Sequence, residues 1–302
     1  MKFINGGVTA AKGFVASGIH CGIRKNKSKR DLALIISEVK ASAAATYTTN
    51  LVKGAPITVT KENIADGYAQ AVICNSGNAN TCNANGIEIA EQMCELLANE
   101  LKINAKDVIV ASTGVIGQPL DITPIKEGIP KLKNTLNDNG SAAAAEAIMT
   151  TDTVKKEFAC ELEIGGKTVH IGGIAKGSGM IHPNMGTMLA VVTTDCAINP
   201  AVLDPMLKEV VDKTFNRITV DGDTSTNDTL AIMASGLAGN EEITEKNADY
   251  ALFTEALTAA FRQVARKLAA DGEGASKLIT CTMTHARSEE SAERLAKAVV
   301  GS

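Results

Sequence analysis

The stretch from residue 68 to residue 117 constrains the fold most. An apolar run in "YAQAVICNSGNAN" ends in Asn75, Ser76, Gly77 and Asn78, residue types that tolerate turns and left-handed backbone. A second run, "DVIVASTGVIG", ends the same way in Ser112, Thr113 and Gly114. Between them "GIEIAEQMCELLANELK" spaces Ile87, Ala90, Met93, Cys94 and Leu97 as one face of a helix, so an amphipathic helix should cover a sheet there. Strands that end in polar loops and alternate with helices define an α/β layer.

The rest of the chain continues that pattern. "DLALIISEVKASAAATYTTNLVKGA" alternates apolar runs with small polar residues, as short strands joined tightly would. "SAAAAEAIMTTDT" reads as an Ala-rich helix ending near Thr150 to Thr153, and "PAVLDPMLKEVVDKTF" as another helix. A third, "ADYALFTEALTAAFRQVARKLAADGEGA", is stopped by Gly272 and Gly274. "KLITCTM" is expected as a strand, followed by a helix with Ser288 as N-cap and Ala292, Leu295, Ala296 and Val299 on one face. Only 3% of the residues are aromatic and none is Trp, so the interior must be packed from Ala, Val, Ile and Leu.

Charge and cysteine content exclude several classes. Thirty basic against 34 acidic residues give a net charge of −4. The short basic run "RKNKSKR" at Arg24–Arg30 has no interleaved aromatics for base stacking, so it reads as a solvated loop rather than a nucleic-acid patch. Seven scattered cysteines, with no C-x-x-C pair and no Cys/His ligand spacing, imply a reducing compartment and no zinc site. "DGDTSTND" imitates a calcium loop at Asp221, Asp223 and Ser225, but Thr226 and Ile232 replace the Gly and Glu that such a loop needs. No metal is expected. The start lacks a leader pattern and no apolar stretch is long enough to span a bilayer, so a cytoplasmic protein is expected, with no membrane partner.

The chemistry concentrates in "KGSGMIHPNMGTMLAVVTTD", where Thr187 follows Gly186 at the head of an apolar run that reads as a buried strand. A phosphate loop would need its Lys after the glycines, whereas Lys176 precedes them, which counts against that reading. Two readings remain: a structural Gly-Thr step, or self-cleavage. In the second, the Thr187 hydroxyl attacks the Gly186 carbonyl, the peptide becomes an ester, and water separates residues 1–186 from 187–302. The new α-amino group, a type that ordinarily titrates at about 7.7–8.0, then serves as base for the hydroxyl beside it.

"AKGSGMIHPNMGTML", with "AVICNSGNANTC", "VIVASTGVIG", "AIMTTDT", "FNRITVDGDTSTNDT" and "DGEGASKL", resembles the ornithine acetyltransferase family, the bifunctional glutamate N-acetyltransferases of arginine biosynthesis. The likeness begins at "NGGVTAAKGFVASGI" and runs in order along the chain. It implies a layered α/β sandwich with helices outside paired sheets, of the self-cleaving N-terminal-threonine type. It implies that Thr187 is both cleavage site and acyl-accepting nucleophile, and that Thr113 and Gly114 form the oxyanion hole. Lys176, Thr150 and Glu273 would contact substrate, with Thr151 the alternative to Thr150. The reaction would move acetyl from N-acetylornithine to glutamate without a cofactor, with acetyl-CoA as a further donor in some members. The pieces 1–186 and 187–302 would assemble as a dimer of heterodimers.

Two departures from the family pattern stand out. Gly186 occupies a place where the family usually has Ala, a change between small residues that should leave cleavage intact. The family also continues past "AERLAKAVVGS" into a segment that closes the substrate site, so this polypeptide alone is expected to transfer acetyl weakly or not at all. A threonine-nucleophile amidase or aminopeptidase, and an inactive remnant, are the competing readings.

Overall fold

A computed structural model describes residues 1–182 and 188–302. Among the described residues nine strands form one mixed sheet: β1 (Lys2–Ile4), β2 (Phe14–Ile19), β3 (Leu32–Tyr47), β4 (Tyr68–Asn78), β5 (Val108–Val115), β6 (Lys156–Ile164), β7 (Lys167–Lys176), β8 (Leu189–Thr194) and β9 (Thr229–Ala234). The described residues also form the α-helices α1 (Ala55–Asn63), α2 (Gly86–Leu101), α3 (Thr123–Asn134), α4 (Ser141–Ile148), α5 (Pro200–Asp212), α6 (Ala248–Ala270) and α7 (Glu289–Val300).

The strand order is β1-β6-β7-β8-β9-β3-β4-β5, with β2 added to β3. The pairs β4–β5 and β8–β9 are parallel, and each is connected through a helix, α2 and α5. The two halves meet on β3. Its first part, Leu32–Ile36, pairs with β2 and β4, and after a bulge its second part, Ser42–Tyr47, pairs with β9.

Side-chain alternation along the strands sorts residues into three cores. In β9, Leu230, Ile232 and Ala234 face α5 and α6, whereas Ala231 and Met233 face the interior shared with α4. In β4, Ala71 and Ile73 face α2, whereas Val72 and Cys74 join that same interior. Helix α4 packs on β2, β3, β4, β6 and β7, so it lies within the layer that the two halves of the sheet share. Its run of alanines allows this, because only small side chains let a helix approach sheet on several sides. The layered α/β architecture is therefore present, with α2, α5 and α6 outside and α4 between the layers, and hydrogen bonds join its two halves into one continuous sheet.

Several sequence expectations change. The segment after Asp31 is one 16-residue strand rather than several short ones, since burial of alternate residues on both faces supports a long strand bent at a bulge. The polar residues Asn75–Asn78 continue β4 instead of leaving it. "KLITCTM" forms no strand: residues 275–284 carry no ladder. The helix that follows is capped by Ser288 as expected, its hydroxyl accepting the Ser291 N–H, but none of its residues is buried, and Leu295 and Val299 remain 54% and 52% exposed. On α2 the expected face is buried except for Ile87.

Candidate active site

The ends of β4 and β5 build one wall of a cleft of about 560 Å³. Gly77 and Gly114 lie opposite each other across this parallel pair. Gly114 has φ +131°, and a Cβ there would lie 2.4 Å from the Gly77 carbonyl carbon, so no other residue fits without moving backbone. Thr113 is buried beside it. The strand ends are held by Asn227, whose Nδ2 donates to the carbonyls of Ala79 and Ser112 at 2.6 and 2.9 Å. The Asn227 Oδ1 accepts the hydroxyls of Thr81 and Thr226.

Lys176, the last residue of β7, forms the floor with Asp228. Burial pushes the Lys176 ammonium below the usual lysine value, opposed by the fields of Asp152 and Asp228. Burial likewise pushes the Asp228 carboxyl well above its usual range, opposed by Lys176. Asp228 accepts the Met188 N–H and the Ser225 hydroxyl, while its Oδ2 has no partner among the described residues. Leu189, at the start of β8, pairs with Lys176 and with Thr229. The chain therefore enters β8 between two buried ionisable groups.

A buried lysine ties the remaining wall together. Lys156 Nζ donates to Asp152 Oδ1 and to Asp271 Oδ2, each at 2.6 Å, and its side chain is fully enclosed. Asp152 also accepts the backbone N–H of Gly177 at 2.7 Å and of Thr150 at 3.0 Å. Asp271 accepts the N–H and hydroxyl of Thr153, and its carbonyl accepts the Ser178 hydroxyl. Ser178 in turn receives the N–H of Glu273 on its own carbonyl. Burial alone would raise the Asp152 carboxyl; Lys156, with the N–H donors of Gly177 and Thr150, instead holds it below its usual value.

Thr113, Gly114, Thr150, Thr151, Lys176 and Glu273 all line this one cleft, although more than 150 residues separate the first from the last. Gly186 and Thr187 lie outside the described residues. Asp221, the first position of the rejected calcium loop, also lines the cleft and accepts the Ile181 N–H at 2.7 Å. Among the described residues no three His, Cys, Asp or Glu side chains gather closely enough to hold a metal ion. No helix among them is long and apolar enough to cross a membrane.

The ArgJ family model matches residues 15–302. The chain belongs to the ArgJ family. It is 50% identical over 304 residues to the arginine biosynthesis bifunctional protein ArgJ of Symbiobacterium thermophilum, covering 100% of this chain and 76% of that protein. It is 49% identical to the Bacillus subtilis protein of the same name, covering 99% and 73%. A crystal structure of ArgJ from Bacillus halodurans matches at TM-score 0.58 and 47% identity, over 61% of this chain and 97% of that one. Ornithine acetyltransferase from Mycobacterium tuberculosis, crystallised with ornithine, matches at TM-score 0.55 and 36% identity, over 60% and 95%. An L-aminopeptidase D-Ala-esterase/amidase from Ochrobactrum anthropi, described as a variant of the Ntn-hydrolase fold, shares the fold at 14% identity and TM-score 0.54, over 88% and 86%.

As a family member the chain is an acetyltransferase of arginine biosynthesis, on an α/β fold of the Ntn-hydrolase kind. Sequence reasoning passed over Asp152, Lys156 and Asp271, which support the cleft from behind. Asp152 stands inside "AIMTTDT", but nothing in "TVKKEF" distinguishes a fully enclosed lysine from a solvated one. The basic run is solvated as expected at Lys25, Asn26, Lys27, Ser28 and Lys29, yet Arg24 lines the cleft, because Asp31 folds the loop inward.

Proposed function

We propose that the chain cuts itself between Gly186 and Thr187 and then transfers acetyl from N-acetylornithine to glutamate through an acetyl-Thr187 ester. The observation that carries this reading is the convergence of Thr113, Gly114, Thr150, Lys176 and Glu273 on the cleft beside which the chain enters β8. The Thr187 hydroxyl attacks the acetyl carbonyl, its proton passing to the new α-amino group on the same residue. The Thr113 hydroxyl and the Gly114 N–H receive the oxyanion, a role in which one donor contributes about 10²–10³ in rate. The tetrahedral adduct collapses, ornithine leaves with the proton, and the amino group of glutamate repeats the attack on the ester. Lys176, Thr150 and Glu273 hold the substrates. No organic cofactor enters, because amide and ester exchange in a nearly balanced sequence; acetyl-CoA is a second donor to the same threonine.

The sheet accommodates such a cut. Strand β8 pairs with β7 on one side and β9 on the other, and β9 pairs with β3, so residues 1–186 and 187–302 would remain interleaved. The Bacillus halodurans and Mycobacterium tuberculosis chains align over 61% and 60% of this chain, close to the share that residues 1–186 make of it. The two pieces would pair as a heterodimer, two of which associate, and the enzyme would work in the cytoplasm.

Intact mass spectrometry tests the first step. Pieces corresponding to 1–186 and 187–302 are expected, and Thr187→Ala is expected to stay whole and to exchange no acetyl. A wild-type chain that stays whole would sink the proposal. Ornithine release from N-acetylornithine without formation of N-acetylglutamate would instead make the protein an amidase.

A further inference from the structure

We infer that Arg24 is the residue that receives the side-chain carboxylate of glutamate and so distinguishes acceptor from donor. The inference rests on the acetyl exchange proposed above. It begins with a chemical asymmetry between the two substrates that must share one cleft: the side chain of N-acetylornithine ends in an ammonium, that of glutamate in a carboxylate. A site lined only by acids at that end would favour the donor and repel the acceptor.

The charged groups lining the cleft are Arg24, Lys176, Asp221, Asp228 and Glu273. Lys176 is already embedded between the fields of Asp152 and Asp228. Arg24 is different. Its loop is wound around the buried carboxylate of Asp31, which accepts the backbone N–H of Cys21 at 2.6 Å, of Gly22 at 3.3 Å and of Arg24 itself at 2.9 Å. That winding sends the Arg24 stem across Gly77, where φ is +105° and a Cβ would lie 2.9 Å from Arg24 Cγ. The guanidinium then reaches the carbonyl of Met149, the residue before Thr150, through Nη2.

One donor is thereby used, and the buried Nε–H has no partner among the described residues. A guanidinium carries five N–H donors in a fixed fork suited to a carboxylate. Arg24 is thus a cation fixed in place by its neighbours, with donors unspent, in the cleft that also holds Glu273. Glu273 offers the complementary charge for the ornithine ammonium. The two opposite charges let one cleft accept, in turn, two amino acids whose side chains end in opposite charges.

The test compares the self-cleaved wild type with Arg24→Gln and Arg24→Lys, measuring binding of glutamate and of N-acetylornithine by calorimetry. Arg24→Gln is expected to weaken glutamate about 10-fold to 100-fold, the range for losing a charged hydrogen bond. Binding of N-acetylornithine should stay within about 3-fold, since its ammonium gains nothing from Arg24. Arg24→Lys should recover part of the loss, as a point charge without the fork. Equal losses for both ligands, or none for either, would overturn the assignment while leaving the exchange reaction standing. A wild type that stays uncut, or that cuts itself and binds neither ligand, would instead remove the exchange reading, and this assignment with it.

Discussion

Lys156→Met should destabilise the protein strongly, and by an amount that depends on pH in a defined sense. The change removes the only cation within ion-pair distance of Asp152 among the described residues and leaves its carboxylate enclosed, with Oδ1 still pointed at the space Nζ filled. Removing one partner of a buried pair costs about 3–5 kcal/mol, because the other charge stays behind unpaired. This figure counts Asp152 alone, since the Asp271 carboxylate keeps the N–H and hydroxyl of Thr153 as donors. With an unfolding entropy of about 2.1 cal/mol/K per residue, the expected fall in Tm is about 5–8 °C.

In the wild type Asp152 titrates below the usual carboxyl value of about 3.9, so its contribution is complete above that value and is lost as the pH falls through the folded-state pKa. In Lys156→Met, burial is no longer opposed by the ammonium and carries Asp152 above its unfolded value. Stability of the variant then rises as the pH falls toward that pKa. The deficit at pH 5 should be smaller than at pH 7, by about 1.4 kcal/mol for each unit by which the variant's Asp152 pKa exceeds 5. Urea unfolding followed by circular dichroism at both pH values measures this. Adding Asp152→Asn should restore most of the loss. A deficit below about 1 kcal/mol, or one equal at the two pH values, would refute the claim that Lys156 acts through the buried carboxylate.

Gly114→Ala should abolish self-cleavage or slow it by at least about 10²-fold, the weight of one oxyanion donor, because the added methyl drives the Thr113–Gly114 backbone away from Gly77; a time course of intact masses reads this, and normal processing would contradict it. The thiols of Cys74, Cys94 and Cys196 are pushed up to about 12 by burial, so at pH 8 a disulfide reagent should label exposed Cys82 first and reach those three only on unfolding. Rapid modification of all seven in the native protein would show that the cores are looser than the packing indicates.

Much of the active-site cleft was legible because its residues stand in runs whose local chemistry is unusual. A strand that ends in Ser112, Thr113 and Gly114 announces a polar rim on an apolar element, and the register with Gly77 only adds the reason that position 114 must be glycine. The support behind the cleft was not legible. Lys156 and Asp271 are 115 residues apart, and neither is odd where it stands; they matter only because β6 and the end of α6 meet. The strand expected at "KLITCTM" failed for the converse reason. A period-two apolar pattern makes a strand possible, but a ladder needs a neighbour, and among the described residues none pairs with residues 275–284.

By itself the sequence determined the alternation of strands and helices, the small-residue interior, and the glycine and threonine positions where backbone or hydroxyl chemistry is forced, since each depends on spacing within a few residues. The tertiary structure alone decided which charges are buried together. It placed Lys176 against Asp228 and Lys156 between two aspartates, and it turned Arg24 of a basic loop inward. Burial and charge pairing arise from contacts between distant segments, and the energy of a charge depends on what surrounds it rather than on what precedes it in the chain.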